Sequence, residues 1–241
     1  MYTESIGALG GFGGYATLDF YRNFLEIFKS DCERDYPHIY FDNDFTMPSR
    51  TRALLFNESY DEIVEAMVRS IKFMLEKNVR YIVLICGTAH YFLKDIKNYI
   101  SNLDGRLLNI IEITGEKIAS DGHNDAFIVA AEGALMKKLY DGYMIPLGIM
   151  CESPRCEEYN QIRYFIECVK RDNLTLSVID DFLNFIISRS SKNIVLGCTE
   201  FPALINYCYK FGNKEQLVYL NEYNFYDPIK LVLEKIKKEL K

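Results

Sequence analysis

Two short segments constrain this chain more than any other feature. Residues 82–86 read Ile-Val-Leu-Ile-Cys and residues 194–198 read Ile-Val-Leu-Gly-Cys, with Thr88 and Thr199 close behind the cysteines. Each copy is an unbroken apolar run, then a turn, then a segment of helical spacing. Uninterrupted Val/Ile/Leu runs mark strands covered on both faces, as in parallel sheets flanked by helices.

The rest of the chain alternates in the same way. Ser5–Leu9, His38–Phe41, Arg80–Ile85, Leu107–Ile111, Ala126–Ala130, Ile145–Met150, Asn193–Leu196 and Leu217–Leu220 read as strands. Helices are expected over about Ala16–Ser30, Glu58–Lys77, Tyr91–Ile100, Glu157–Lys170, Thr175–Ser190 and Phe201–Phe211, and from Pro228 onward. In the long Glu58–Lys77 segment, Ile63, Met67, Ile71, Met74 and Leu75 form one apolar stripe. Asp227 suits a helix cap, and Pro228 the first helical position. The predicted fold is α/β: two similar domains, each with a central, mostly parallel sheet flanked by helices, related by pseudo-two-fold symmetry. A turn at Asn102-Leu-Asp-Gly105 divides them. That places residues 1–104, joined by 213–241, in the first domain and 105–212 in the second.

Composition narrows the function. The chain has 241 residues, 49% hydrophobic and 26% charged, enough for a sizeable core. Its 28 Lys and Arg against 34 Asp and Glu leave a net charge of −6, which argues against a nucleic-acid partner. No apolar run is long enough for a membrane span, and the start, Met-Tyr-Thr-Glu-Ser, carries no basic segment ahead of an apolar one. A cytoplasmic protein is expected. The seven cysteines form no Cys-x-x-Cys pair and have no His cluster beside them, which argues against zinc and for free thiols.

Ligands of parallel α/β sheets gather beyond the carboxyl ends of the strands. Cys86 and Cys198 both occupy such ends, each just before a helix, where backbone amides and the dipole favour a thiolate. Two such halves facing each other set one thiol on each wall of a cleft. Two bases flanking one carbon are what inversion of a stereocentre needs: one removes the α-proton and the other returns a proton from the opposite face. Buried filler is the plain alternative for any single cysteine.

The residues around the pair resemble the aspartate/glutamate racemase family, whose members work without pyridoxal phosphate. The likeness rests on Ile6-Gly-Ala-Leu-Gly-Gly-Phe-Gly-Gly-Tyr-Ala-Thr17, Met47-Pro-Ser-Arg50, Cys86-Gly-Thr-Ala-His90, Val169-Lys-Arg-Asp-Asn173 and Leu196-Gly-Cys-Thr-Glu200. It implies a homodimer with no cofactor that racemises a free amino acid, aspartate, glutamate or a related one. Cys86 and Cys198 become the acid–base pair. Arg50 holds a substrate carboxylate, Lys170 supplies a second cation, and Gly11, Gly87, Thr88, Ala89 and Thr199 line the substrate. A surface arginine, a solvated helix-end lysine and plain helix-capping threonines are the alternatives. His90 and Glu200 are possible modulators of the neighbouring thiols, or a packed histidine and a favourable helix-start acid. Two positions depart from the family pattern: its Asn after the first cysteine is Gly87, and its Thr-x-Gly-Thr turn is Ala131-Glu132-Gly133-Ala134. Glu132 is expected to repel a substrate carboxylate unless it meets a cation or an amino group. A non-catalytic relative that binds a small carboxylate is the second reading. A third is a dinucleotide-dependent oxidoreductase, from Gly11-x-Gly13-x-x-Ala16 and Asp42.

Overall fold

The computed structural model describes residues 2–103 and 105–240. Asp104, in the expected turn between halves, lies outside the described residues. The chain splits into two compact units, Met1–Ile110 with Ile229–Lys241, and Ile111–Pro228.

In chain order the first unit brings β1 (Ser5–Gly10), α1 (Gly14–Ile27), β2 (His38–Asn43), α2 (Arg50–Phe56), α3 (Tyr60–Glu76), β3 (Tyr81–Leu84), α4 (Leu93–Tyr99) and β4 (Leu107–Leu108). Helix α5 (Ile110–Ser120) begins at the crossing. The second unit follows with β5 (Asp125–Val129), α6 (Glu132–Met136), α7 (Asp141–Met144), β6 (Met150–Glu152), α8 (Tyr159–Lys170), α9 (Leu176–Ile187), β7 (Asn193–Leu196), α10 (Phe201–Phe211), α11 (Lys214–Leu220) and β8 (Asn224–Tyr226). Helix α12 (Pro228–Glu239) returns the chain to the first unit.

The two units repeat one topology. Each holds a four-stranded sheet, ordered β2-β1-β3-β4 and β6-β5-β7-β8, and every pair is parallel. All four residues of β3 and all four of β7 are buried, as expected of the apolar runs at 82–85 and 194–196. The register repeats as well. The last β1–β3 pair is Leu9 with Leu84, and the last β5–β7 pair is Val129 with Leu196. One further ladder bond follows in each: Ile85 N–H donates to the Leu9 carbonyl (2.8 Å), and Gly197 N–H to the Val129 carbonyl (2.7 Å). The cysteine comes next in both copies.

Helix α3 lies on the first sheet through the expected stripe: Ile63, Met67, Ile71 and Met74 are each 0% exposed. Fully burying a side chain of this kind stabilises by roughly 1.5–3 kcal/mol. Helix α12 is tied to the same unit by Val232, Leu233 and Ile236, all fully buried, and by Tyr81 Oη donating to Glu239 (3.0 Å).

Several segments differ from the sequence expectation. Residues 213–228 belong to the second unit rather than the first, because β8 pairs with β7. Leu217–Leu220, expected as a strand, is the end of helix α11. Its start is fixed by a capping box, in which Asn213 Oδ1 accepts from Gln216 N–H and Gln216 Oε1 from Asn213 N–H, both at 2.9 Å. The strand of this region is Asn224–Tyr226 instead. Ile145–Met150 turns as a 3₁₀ segment ending at Gly148, whose φ is +79°, and β6 starts only at Met150. Leu107–Ile111 keeps just two strand residues before α5 begins at Ile110. No helix among the described residues is long and apolar enough to cross a membrane.

Candidate active site

In each sheet the chain leaves the first strand toward one side for the second strand and toward the other side for the third. The crevice between the first and third strands, beyond their carboxyl ends, is where open α/β sheets bind ligands. In the first unit Gly11 and Phe12 follow β1 there, and Cys86 follows β3. In the second, Ala130–Glu132 follow β5 and Cys198 follows β7.

Gly11 is required by two independent constraints. Its φ is +83°, and an added Cβ would stand 2.1 Å from the Asp44 carbonyl oxygen. The turn delivers the Phe12 carbonyl to Arg50, whose Nη2 donates to it at 2.7 Å while Nη1 donates to the Pro48 carbonyl at 2.9 Å. The guanidinium also stacks over the Phe12 ring, 4.8 Å from its centre. Arg50 Nε is buried and meets no hydrogen-bond acceptor among the described residues. Sequence reasoning missed Phe12, because a backbone carbonyl leaves no trace in residue identity.

Cys86 is half-buried at the edge of the first core, and Gly87, Thr88, Ala89 and His90 behind it are all buried. Ala89 is 0% exposed within that core, so it has only backbone to offer a ligand. Gly87 has φ −58° and ψ −47°, a helical conformation open to any residue, so the backbone does not demand glycine there. His90 is 1% exposed. Ile110 N–H donates to Nε2 (3.3 Å), so the neutral ring carries its proton on Nδ1 and donates it to the Cys86 carbonyl (2.9 Å). His90 therefore pins the cysteine's backbone.

Burial pushes this imidazole down to about 4, against the carbonyls of Cys86, Leu108 and Gly87, which favour the charged ring. In the unfolded chain the histidine protonates near its ordinary 6.5, and in the native state only near 4. Native stability is unaffected by this group above pH 6.5 and falls by about 3 kcal/mol in total as pH drops from there to about 4. His90→Asn should remove that part of the acid slope in denaturant unfolding measured from pH 7 to pH 4. An unaltered slope in the variant would assign the acid lability to other groups.

The second half-site has a different partner for its thiol. Cys198 Sγ donates to Glu200 Oε2 at 2.9 Å, and Thr199 Oγ1 donates to the same oxygen at 3.2 Å. Glu200 is 4% exposed and is the residue just before α10, at the positive end of that helix. The single difference between the repeated segments, Ile85 against Gly197, also has a cause. An added Cβ on Gly197 would stand 2.5 Å from Tyr140 Oη, which donates to the Gly197 carbonyl at 2.7 Å. Tyr140 is 2% exposed. Nothing in the sequence sets this tyrosine apart from the other seventeen of the chain's 18.

A family model described as Asp/Glu/Hydantoin racemase matches residues 9–208. The chain belongs to this racemase family. The glutamate racemase of Oceanobacillus iheyensis is 26% identical over 155 residues, a match spanning 61% of this chain and 53% of that protein. Among solved structures, the Picrophilus torridus aspartate racemase superposes with a TM-score of 0.78 at 21% identity, covering 99% of this chain and 95% of that one. The glutamate racemase of Francisella tularensis, solved with D-glutamate, gives 0.69 at 17% identity, covering 98% and 80%. At these identities the structural likeness shows the fold, two parallel α/β sheets flanked by helices as in the racemase family.

The remaining residues singled out by the racemase motifs lie as follows. Glu132 starts α6, and Arg163 Nη2 meets its Oε2 at 2.7 Å, so its charge faces a cation of its own unit. Gly133 and Ala134 behind it are buried. Lys170 ends α8, exposed, and pairs with Glu167 at 3.6 Å. Such an exposed pair holds weakly and leaves the ammonium available. All seven cysteines are free. Burial pushes Cys208 up to about 12, and burial with Asp141 nearby does the same for Cys151. Cys168 is buried too, and Cys32 and Cys156 are exposed away from strand ends.

Proposed function

We propose that the protein racemises a free amino acid, aspartate, glutamate or a related one, by two-base proton transfer through Cys86 and Cys198 with no cofactor. The observation that carries this reading is the repeated register: in both units a half-exposed thiol stands one residue beyond the last ladder bond between the first and third strands. One thiolate takes the α-proton, and the other thiol gives a proton to the opposite face of the planar carbanion. Cys198 donates to Glu200, and the two thiols exchange the roles of acid and base according to which enantiomer is bound. Arg50, already aligned by the Phe12 and Pro48 carbonyls, keeps further N–H groups for a substrate carboxylate. Gly11, Gly87, Thr88, Ala89 and Thr199 offer backbone and hydroxyl donors, and Lys170 a second cation. The reading includes a cytoplasmic homodimer, for which family membership is the support.

Incubating the protein with single amino-acid enantiomers in D₂O and following the α-proton by NMR tests the reading. Loss of that signal, with the mirror-image product appearing, identifies substrate and chemistry together. The absence of a side chain at Gly87, where family members carry Asn, favours a second reading, a non-catalytic carboxylate-binding relative. In that case the amino acid binds and its α-proton stays. Arg50→Lys keeps the charge and loses the planar fork, so substrate binding should weaken by about 1.5–3 kcal/mol, read as a KM raised roughly tenfold or more. An unchanged KM would leave Arg50 only the task of holding the turn.

A further inference from the structure

A groove of about 340 Å³ lies between edge strand β2 and helix α3, lined by Asp42, Asp44, Ala66, Arg69, Ser70 and Phe73. The four α3 residues are spaced as one helical face, and Asp42 and Asp44 alternate as one face of the strand and its extension. Ser70 is 7% exposed, and no hydrogen bond among the described residues engages its hydroxyl. Neither Asp42 nor Arg69 has a hydrogen bond or ion pair among the described residues. Asp44 Oδ1 is taken by Thr46, through its N–H at 2.8 Å and its Oγ1 at 2.6 Å, which leaves Oδ2.

These groups are complementary to one class of ligand. Two carboxylates and a hydroxyl offer acceptors to the three N–H donors of a primary ammonium, and a guanidinium takes a carboxylate bidentately. A divalent metal suits the set poorly, since Arg69 stands within it and no group of three or more His, Cys, Asp or Glu among the described residues could hold one. An isolated phosphate would face both aspartates. The geometry points to a binding site in the β2–α3 groove for the zwitterionic head of a free α-amino acid: its ammonium on Asp42, Asp44 and Ser70, its carboxylate on Arg69, and its side chain along Phe73. None of these residues belongs to the proposed racemisation machinery, and the inference stands without it. The groove also shares Asp44 with the Gly11 turn, where a Cβ added to Gly11 would meet that residue's carbonyl.

Glycine is the probe, because it has the zwitterion and no stereocentre to invert. Titrated into the ¹⁵N-labelled protein, it should shift the amide signals of residues 42–46 and 66–73, saturating in the millimolar range expected of an open site. Arg69→Gln should weaken this binding about tenfold or more, and Ser70→Ala severalfold, with Arg50→Gln leaving it intact. Acetate and methylammonium, each supplying half of the zwitterion, should bind about tenfold more weakly than glycine. The inference is overturned by the absence of shifts in these segments at about 50 mM glycine. It is equally overturned if Arg50→Gln rather than Arg69→Gln abolishes binding, or if acetate alone binds as well as glycine.

Discussion

Cys86→Ala and Cys198→Ala should each lower interconversion of the substrate's enantiomers by at least about 10²–10⁴-fold, with the fold unchanged. Each thiol is half-buried at a strand end, so its removal leaves the apolar strands behind it in place. The two variants should differ in what survives. With Cys198 gone, Cys86 can still exchange the α-proton of one enantiomer with D₂O, and with Cys86 gone Cys198 can serve only the other. Racemisation near the wild-type rate in either variant would falsify the two-thiol mechanism.

Gly11→Ala should destabilise the protein by about 3 kcal/mol or more. A left-handed backbone at an L-residue costs about 1–2 kcal/mol. The new methyl would also stand 2.1 Å from a backbone carbonyl, which cannot swing aside as a flexible side chain would. Relief requires the turn to move, and with it the Phe12 carbonyl that Arg50 grips. Substrate affinity should therefore fall together with the denaturation midpoint. Chemical unfolding of the variant within about 0.5 kcal/mol of wild type would show that the turn can relax.

The parts of the fold that the sequence discloses are those where one signal dominates. Continuous apolar runs located β3 and β7, because strands buried on both faces favour them, and the buried Asn193 that opens β7 is met by Asp125 and Asn224. A stripe at helical spacing located α3. Short apolar runs at the chain's end carry no such signal, since four residues such as Leu217–Leu220 fit a strand or a helical turn equally. The Asn213–Gln216 box in front of them was the cue that decides for helix. At the candidate site, side chains with motif spacing were legible, and backbone partners were not. The Phe12 carbonyl on Arg50, the Cys86 carbonyl on His90 and the Gly197 carbonyl on Tyr140 are set by tertiary approach. Glu132 shows the same limit: its cation, Arg163, lies 31 positions along the chain.

The path of the chain through the two units bears on how the protein is made. The second unit is one uninterrupted stretch, Ile111–Pro228, so a ribosome can complete it before synthesis ends. The first is split, and its α12 closes against β3 across 158 positions of chain. Until α12 emerges, the core of the first unit lacks Val232, Leu233 and Ile236. The nascent first unit must wait, open, for a helix encoded after its neighbour. Long-range closure of this kind is slow, and exposed strand surface invites aggregation in the interval. Truncations before α12 should yield chains whose second unit folds and whose first unit is recognised by chaperones.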